Sequence, residues 1–266
     1  MYTHNLDPIL FNLGFIEIRW YSLAYIFGIL IGWWLGKKLI KKKFENFSAK
    51  FDVQEFDNLV TYIIISMILG GRLGYVLFYN FEYYLLNHLN IFKIWEGGMS
   101  FHGGLIGVII ASFLFSKKNK LEPLIFLDVV SLVAPIGIFF GRIANFLNSE
   151  LYGIETNIPW AVKFIQVDNL YRHPSQLYEA FFEGLILFCI LTYFRKKGFM
   201  KVPGFISGLF LIFYSISRFI IEFFRVPDEQ LGYLIFNLSM GQLLSSIFFL
   251  IGIYLTIKKY EIKKKT

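Results

Sequence analysis

The chain has 266 residues, of which 56% are hydrophobic, 20% aromatic and 17% charged, with a net charge of +7. A composition this apolar excludes an ordinary water-soluble domain and makes the bilayer the natural solvent. The positive balance does not indicate nucleic acid, because the basic residues cluster at the ends of apolar runs and not along one soluble face.

Seven apolar segments follow in chain order: about Trp20 to Gly36, Val60 to Tyr79, Phe101 to Phe115, Leu124 to Phe140, Gln176 to Phe194, Gly204 to Ile221 and Leu238 to Ile257. A hydrocarbon layer of about 30 Å takes roughly 20 helical residues, so these read as transmembrane helices. The third is short, and either its outer end includes Gly97 to Ser100 or its helix is kinked. The expected fold is all-α, a polytopic membrane protein of seven helices forming one domain over residues 1–266. The first fifteen residues carry His4, Asp7 and Pro8 instead of a basic start and an apolar run, so no cleaved leader is expected. The single cysteine, Cys189, offers no internal disulfide and, between Phe188 and Ile190, reads as a buried, inert thiol.

Lys and Arg number six in residues 37–50, three in 117–120, four in 195–201 and five in 258–265. The alternate loops and segment ends hold Arg19, Lys93, Arg142, Lys163, Arg172, Arg218 and Arg225, with Arg72 inside the second segment. By the positive-inside tendency the lysine-rich loops face the cytoplasm, which puts the amino terminus outside and the carboxyl terminus inside. Trp20, Trp33, Trp34, Trp95 and Trp160 fit an interfacial belt, and the tail Lys258 to Lys265 fits a topology anchor. The longer irregular stretches, 80–98 and 149–175, lie outside, where connections of that length often carry function.

Polar groups that interrupt the spans are costly unless paired or hydrated, and here they gather on the outer side. The first helix begins with Arg19-Trp20-Tyr21, the third with Ser100-Phe101-His102-Gly103-Gly104, and the fifth after Arg172-His173-Pro174-Ser175-Gln176. The fourth ends in Gly141 to Gly153. Tyr214, Arg218, Glu222 and Arg225 follow i, i+4, i+8, i+11 and share one helix face; Arg142, Asn145 and Asn148 share another. The same spacings serve a structural Arg218–Glu222 pair and asparagines that glue helices. Convergence of five segments on one side favours a site. His102 alone suits a structural histidine better. His4, His88 and His173 have no metal-ligand spacing with it or with carboxylates, so no metal is expected. Arg72 and Asp128 suggest a structural pair. A transporter would also converge polar groups from several helices, but it predicts an inverted repeat and a midplane site, which this pattern lacks. Neither a Gly-x-Ser-x-Gly nucleophile segment nor an Asp-rich metal motif is present.

Gly141 to Gly153 reads Gly-Arg-Ile-Ala-Asn-Phe-Leu-Asn-Ser-Glu-Leu-Tyr-Gly and resembles the signature of the prolipoprotein diacylglyceryl transferase family. Trp20-Tyr21, Gly70 to Asn80, Gly97 to Gly107, Arg172 to Glu179, Arg218 to Pro227 and Ser239 to Gln242 resemble further family blocks in the same order. The resemblance implies a seven-helix enzyme of the bacterial cytoplasmic (inner) membrane, needing no cofactor, with its active side outward. It implies transfer of the sn-1,2-diacylglyceryl group of phosphatidylglycerol to the lipobox cysteine in a preprolipoprotein signal peptide. A thioether forms and glycerol phosphate leaves, before signal peptidase II acts. The expected partners are phosphatidylglycerol, that peptide and membrane lipid, with no nucleic acid. A thiol reacts as thiolate, and His102 matches the family position for a base, although an arginine-rich site stabilises a thiolate without one. Arg142 and Arg218 suit the phosphate. Asn145, Asn148, Glu150, Tyr21, Tyr214 and Glu222 suit orientation of the head group or of the arginines, and Gly153 and Gly104 suit close backbone approach. Ile154 to Tyr171 carries no family signature, which leaves open how the peptide is held.

Overall fold

The computed structural model describes residues 1–12, 17–44, 55–94, 97–227, 232, 234 and 237–265. Trp95 and residues 45–50 of the first basic loop lie outside the described residues. The main helices are α1 (Trp20–Phe44), α2 (Glu55–Phe78), α3 (Phe81–Leu86), α4 (Phe101–Asn119), α5 (Pro123–Leu147), α8 (Phe205–Ile221) and α9 (Met240–Lys265). Between α5 and α8, one continuous span is built from α6 (Ser175–Glu179), a π-helical stretch (Ala180–Ile186) and α7 (Leu187–Lys196). Seven spans of 19 to 25 residues among the described residues are long and apolar enough to cross a bilayer, and they coincide with the seven apolar segments. The fold is all-α in its membrane part.

The third span reaches full length at the end opposite to the expected one. Ser100 caps it, its hydroxyl accepting from Gly103 N at 3.2 Å, and the helix runs on to Asn119. Gly97 and Gly98 have φ of 84° and 77°, so they turn the chain ahead of the helix instead of joining it.

With lipid as apolar as leucine, span association depends on close backbone approach. The antiparallel pairs α2/α4, α1/α5 and α8/α9 all use small residues for it. A Cβ added at Gly74 would lie 2.6 Å from Gly103 Cα, one at Gly28 would lie 3.0 Å from Gly137 Cα, and one at Gly252 would lie 2.9 Å from Gly208 O. Between the spans Phe115, Phe126, Leu132, Leu187, Leu191, Ile206 and Phe210 form the packed core. Leu69, Leu77, Ile110, Leu114 and Leu250 stand exposed on the bundle surface, as expected of lipid-facing positions. Cys189 is among the exposed residues, correcting its reading as a buried thiol. Its apolar neighbours reflect the solvent that a span expects, not a protein core.

Arg72 and Asp128 do not pair. Asp128 is fully buried on α5 and accepts from Gly204 N at 2.8 Å, Ser207 N at 2.9 Å and Ser207 Oγ at 2.7 Å, satisfying orphan donors at the start of α8. Arg72 lies toward the opposite end of the bundle. It donates to the carbonyls of Ile91, Asn90, Lys93, Gly97 and Gly98 and stacks its guanidinium 5.1 Å from the Tyr84 ring centroid. One buried cation thereby ties down the stretch that follows α2.

The segments expected to be irregular carry a small β structure. β1 (Tyr2–His4) runs parallel to β4 (Val162–Phe164), which pairs antiparallel with β5 (Tyr171–Arg172). β2 (Ile9–Asn12) and β3 (Glu17–Arg19) form an antiparallel hairpin leading into α1. The Met1 ammonium closes the arrangement on Pro159 O at 2.6 Å.

Candidate active site

The ends of α5 and α8 and the starts of α4, α6 and α9 meet on the face opposite the lysine-rich loops, and the polar stripe seen in the sequence is buried there. Arg142 on α5, Glu179 and Glu183 on the fifth span, and Arg218, Glu222 and Arg225 at the end of α8 form one ion cluster. Arg142 Nε lies 3.2 Å from Glu179 Oε2, and its Nη2 lies 3.4 Å from Glu183 Oε2. Arg218 donates from Nη1 to Glu179 Oε1, and its Nη2 lies 2.6 Å from Glu222 Oε2. Arg225 Nη1 stands 3.8 Å from Glu179 and 3.9 Å from Glu222. Glu222 also accepts from Ser239 Oγ at 2.9 Å, which ties the start of α9 to the cluster.

Buried charges persist only when paired, so three guanidinium groups and three carboxylates explain one another's survival in the bundle. Arg142 keeps Nη1 free of any hydrogen bond or ion pair among the described residues. A fixed guanidinium with a spare donor suits a phosphate oxygen.

His102 is buried in the first turn of α4. Its ring stacks on Phe248 of α9 at 5.6 Å between centroids, within electrostatic reach of Arg218 and Arg142. Its Nε2 has no hydrogen-bond partner among the described residues. The preceding Phe101 stacks on Tyr214 at 4.7 Å, which fixes α4 against α8 one turn from Arg218. The glycine contact with α2 sets the depth of this turn.

The signature loop completes the site. Asn145 Nδ2 donates to Glu150 Oε2 at 3.1 Å and Asn148 Nδ2 to Glu150 Oε1 at 3.4 Å. Ser149 and Leu151 both have positive φ, 57° and 54°, sharp turns on either side of Glu150. Such backbone is costly and is held from outside. Gln176 Nε2 donates to Glu150 O at 2.6 Å, Ser175 Oγ to Leu151 O at 2.9 Å, and Ser149 Oγ lies 3.3 Å from His4 Nδ1. Burial between Phe146 and Phe164 pushes the His4 ring below the usual histidine range. Nearby, Arg172 holds the Asp168 carboxyl below the usual carboxylate range through bonds of 2.5 to 3.3 Å.

Gly153 is squeezed by the chain itself. A Cβ there would meet Phe224 O at 2.5 Å and His173 Cβ at 2.6 Å, and its N–H donates to His173 O at 3.0 Å. Gly104 packs on Met67 of α2. Tyr21 is half-buried at the start of α1; the register Gly28 to Gly137 and Gly32 to Val133, continued to the helix end, puts it level with Ala144 and so beside Asn145 in height.

The structure thus gathers Arg142, Arg218, Tyr214, Glu222 and His102 in one buried region, and Asn145, Asn148 and Glu150 in the adjoining loop. Sequence reasoning missed Glu179 and Glu183 as functional residues, although two carboxylates four apart in an apolar span were a signal for them. Among the described residues no group of three or more His, Cys, Asp or Glu is arranged to hold a metal ion.

Residues 8–258 match the family model described as prolipoprotein diacylglyceryl transferase. The chain is 54% identical over 255 residues to the phosphatidylglycerol–prolipoprotein diacylglyceryl transferase of Rickettsia bellii (strain OSU 85-389), covering 96% of this chain and 95% of that protein. It is 51% identical over 257 residues to the protein of the same name from Rickettsia typhi (strain ATCC VR-144 / Wilmington), covering 96% and 97%. With the one from Rickettsia felis (strain ATCC VR-1525 / URRWXCal2) it shares 50% over 253 residues, covering 94% and 96%.

Proposed function

The chain belongs to the prolipoprotein diacylglyceryl transferase family, and from that premise we propose how its buried arginine cluster performs the transfer. It is a membrane transferase that moves the diacylglyceryl group of phosphatidylglycerol to a prolipoprotein, a step of lipoprotein maturation. The acceptor in this reading is the lipobox cysteine of the signal peptide, and residues 1–266 work as one catalytic domain. The observation that carries the site assignment is the meeting of Arg142 and Arg218 on one buried carboxylate, Glu179.

Arg142 and Arg218 hold the phosphodiester. The cysteine sulfur attacks the terminal carbon of the diacylglyceryl group; a carbon–sulfur bond forms, the carbon–oxygen bond to phosphate breaks, and the electron pair leaves on the phosphate oxygen of glycerol phosphate. The guanidinium charges, already in place and partly desolvated, stabilise the charge that develops there. His102 takes the thiol proton on its unpartnered Nε2 and passes it to water. Glu222 and Glu179 keep Arg218 in its rotamer. Asn145, Glu150, Tyr21 and Tyr214 orient the glycerol hydroxyls, and Gly153 shapes the loop that presents Glu150.

The excess of Lys and Arg in alternate loops supports a carboxyl terminus in the cytoplasm, an amino terminus outside and a site toward the outer face of the bacterial cytoplasmic membrane. Both substrates carry apolar tails, which favours lateral entry from the bilayer. A groove of about 330 Å³ between α8 and α9, lined by Ile216, Phe219, Ile220, Phe249 and Leu250, is of the right character for an acyl chain.

The test incubates the purified protein with phosphatidylglycerol and a lipobox peptide and weighs the peptide. A diacylglyceryl mass on the cysteine, absent when serine replaces it, is expected; an unmodified peptide overturns the reading.

A further inference from the structure

The span Ser175–Lys196 is interrupted in its upper part by the π-helical stretch Ala180–Ile186. π turns are rare, arise as insertions into α-helices, and recur at functional sites. Here a close backbone contact supports the turn. A Cβ at Gly184 would lie 2.7 Å from Phe139 Cβ and 2.9 Å from Phe139 Cα, so only glycine lets the π stretch lie directly on α5. Phe139 is three residues before Arg142, and the contact delivers Glu183 to Arg142. The Glu183 side chain is fully buried with Oε2 3.4 Å from Arg142 Nη2. Glu179 is shared by Arg142, Arg218 and Arg225, whereas the ion pair of Glu183 among the described residues is with Arg142 alone.

We propose that Glu183 is a positioning residue for the transfer, acting through Arg142. Glu179 holds the Nε edge of the guanidinium and Glu183 holds Nη2, so the plane of the fork is fixed and Nη1 is presented to the phosphodiester. The inference rests on Arg142 being a phosphate ligand. Arg142, Arg218 and Arg225 are matched by Glu179, Glu183 and Glu222, so the charge of Glu183 opposes an incoming anion while its oxygen orients the arginine. Positioning therefore needs the oxygen and not the charge.

That distinction sets the experiment, run on the full-length purified enzyme with phosphatidylglycerol in mixed micelles and a lipobox peptide. Glu183→Ala lowers kcat by roughly tenfold or more, as expected of a misplaced catalytic contact, while Glu183→Gln stays within about threefold of wild type because Oε1 of the amide still accepts from Nη2. In an Arg142→Lys background, followed by single turnover with excess enzyme, Glu183→Ala adds less than about a twofold loss, since the fork it orients is gone. An unimpaired Glu183→Ala enzyme overturns the proposal. So does an equal loss in the glutamine and alanine variants, or a loss that persists undiminished in the Arg142→Lys background. Should Glu183→Ala melt before assay, Glu183→Leu, which fills the space without an oxygen, takes its place: a loss of roughly tenfold or more is expected, and wild-type activity overturns the proposal. A wild-type enzyme that leaves the peptide unmodified strikes the proposed function itself, a separate result.

Discussion

Arg142 Nε and Glu179 Oε2 stand 3.2 Å apart between α5 and the fifth span, the carboxylate side chain fully buried and the arginine 13% exposed. Two charges taken out of water lose several kcal/mol each, and their attraction offsets this only with good geometry and further partners. Glu179 has those partners in Arg218 and Arg225. The pair is therefore a structural joint between spans and, in the proposed mechanism, the foundation of the phosphate site.

Removing that foundation leaves buried guanidinium groups uncompensated. Glu179→Ala is expected to cost about 3–5 kcal/mol of stability and to abolish transfer, read as a lowered Tm in detergent together with lost activity. An alanine variant as stable and active as wild type would show that the arginines do not depend on Glu179.

The signature loop is held by side-chain bonds to Glu150 from Asn145 and Asn148. Bonds to a charged group contribute about 1.5–3 kcal/mol each, so Glu150→Ala should raise the KM for phosphatidylglycerol by about tenfold with a smaller change in kcat. A fall in kcat at unchanged KM would move Glu150 from head-group orientation to the chemical step.

His102 acts in this account as a general base, active when neutral. The rate of transfer should rise with pH along a limb that His102→Gln removes, with a loss of about 10²-fold or more in kcat. Pre-steady-state rates across pH with both proteins check this. A glutamine variant that keeps both the rate and the limb would leave thiolate stabilisation to the arginines alone.

His4 makes a prediction about stability. Burial lowers its pKa from 6.5, so the folded protein favours the neutral ring. Below about pH 6.5 the unfolded chain binds a proton that the folded chain resists, so stability is full above that pH and falls as acid is added. His4→Phe, between Phe146 and Phe164, should flatten this part of the curve of Tm against pH. An unchanged slope would show that His4 is not the group responsible.

How much of this was legible in the sequence varies with the range of the interactions. The spans were plain, because a run such as Gly204 to Ile221 has no other solvent than lipid, and the i, i+4, i+8, i+11 stripe from Tyr214 to Arg225 showed its common face. The ends were less so: α4 extends at its C-terminal end through Ser116 to Asn119, polar and basic residues that read as loop until the helix carries them on. Arg72 and Asp128 looked like partners because both are charged in apolar segments, yet Arg72 bonds to backbone carbonyls and Asp128 to backbone N–H groups and the Ser207 hydroxyl, which leave no mark in composition. β1 and β4 pair residues far apart in the chain, Tyr2 with Val162, and three-residue strands have no periodicity to detect. Glu179 and Glu183 were visible as residues but not as the hub, since the π stretch that docks them on α5 is a product of packing.

The central claim is that Arg142 and Arg218 bind and stabilise the phosphate from which the diacylglyceryl group departs. It is tested most directly by the rate at which a lipobox peptide gains diacylglyceryl mass with wild type, Arg142→Ala and Arg218→Ala, all shown folded by their melting. Each alanine variant is predicted to lose at least about 10²-fold. Transfer at the wild-type rate by either folded variant would contradict the account.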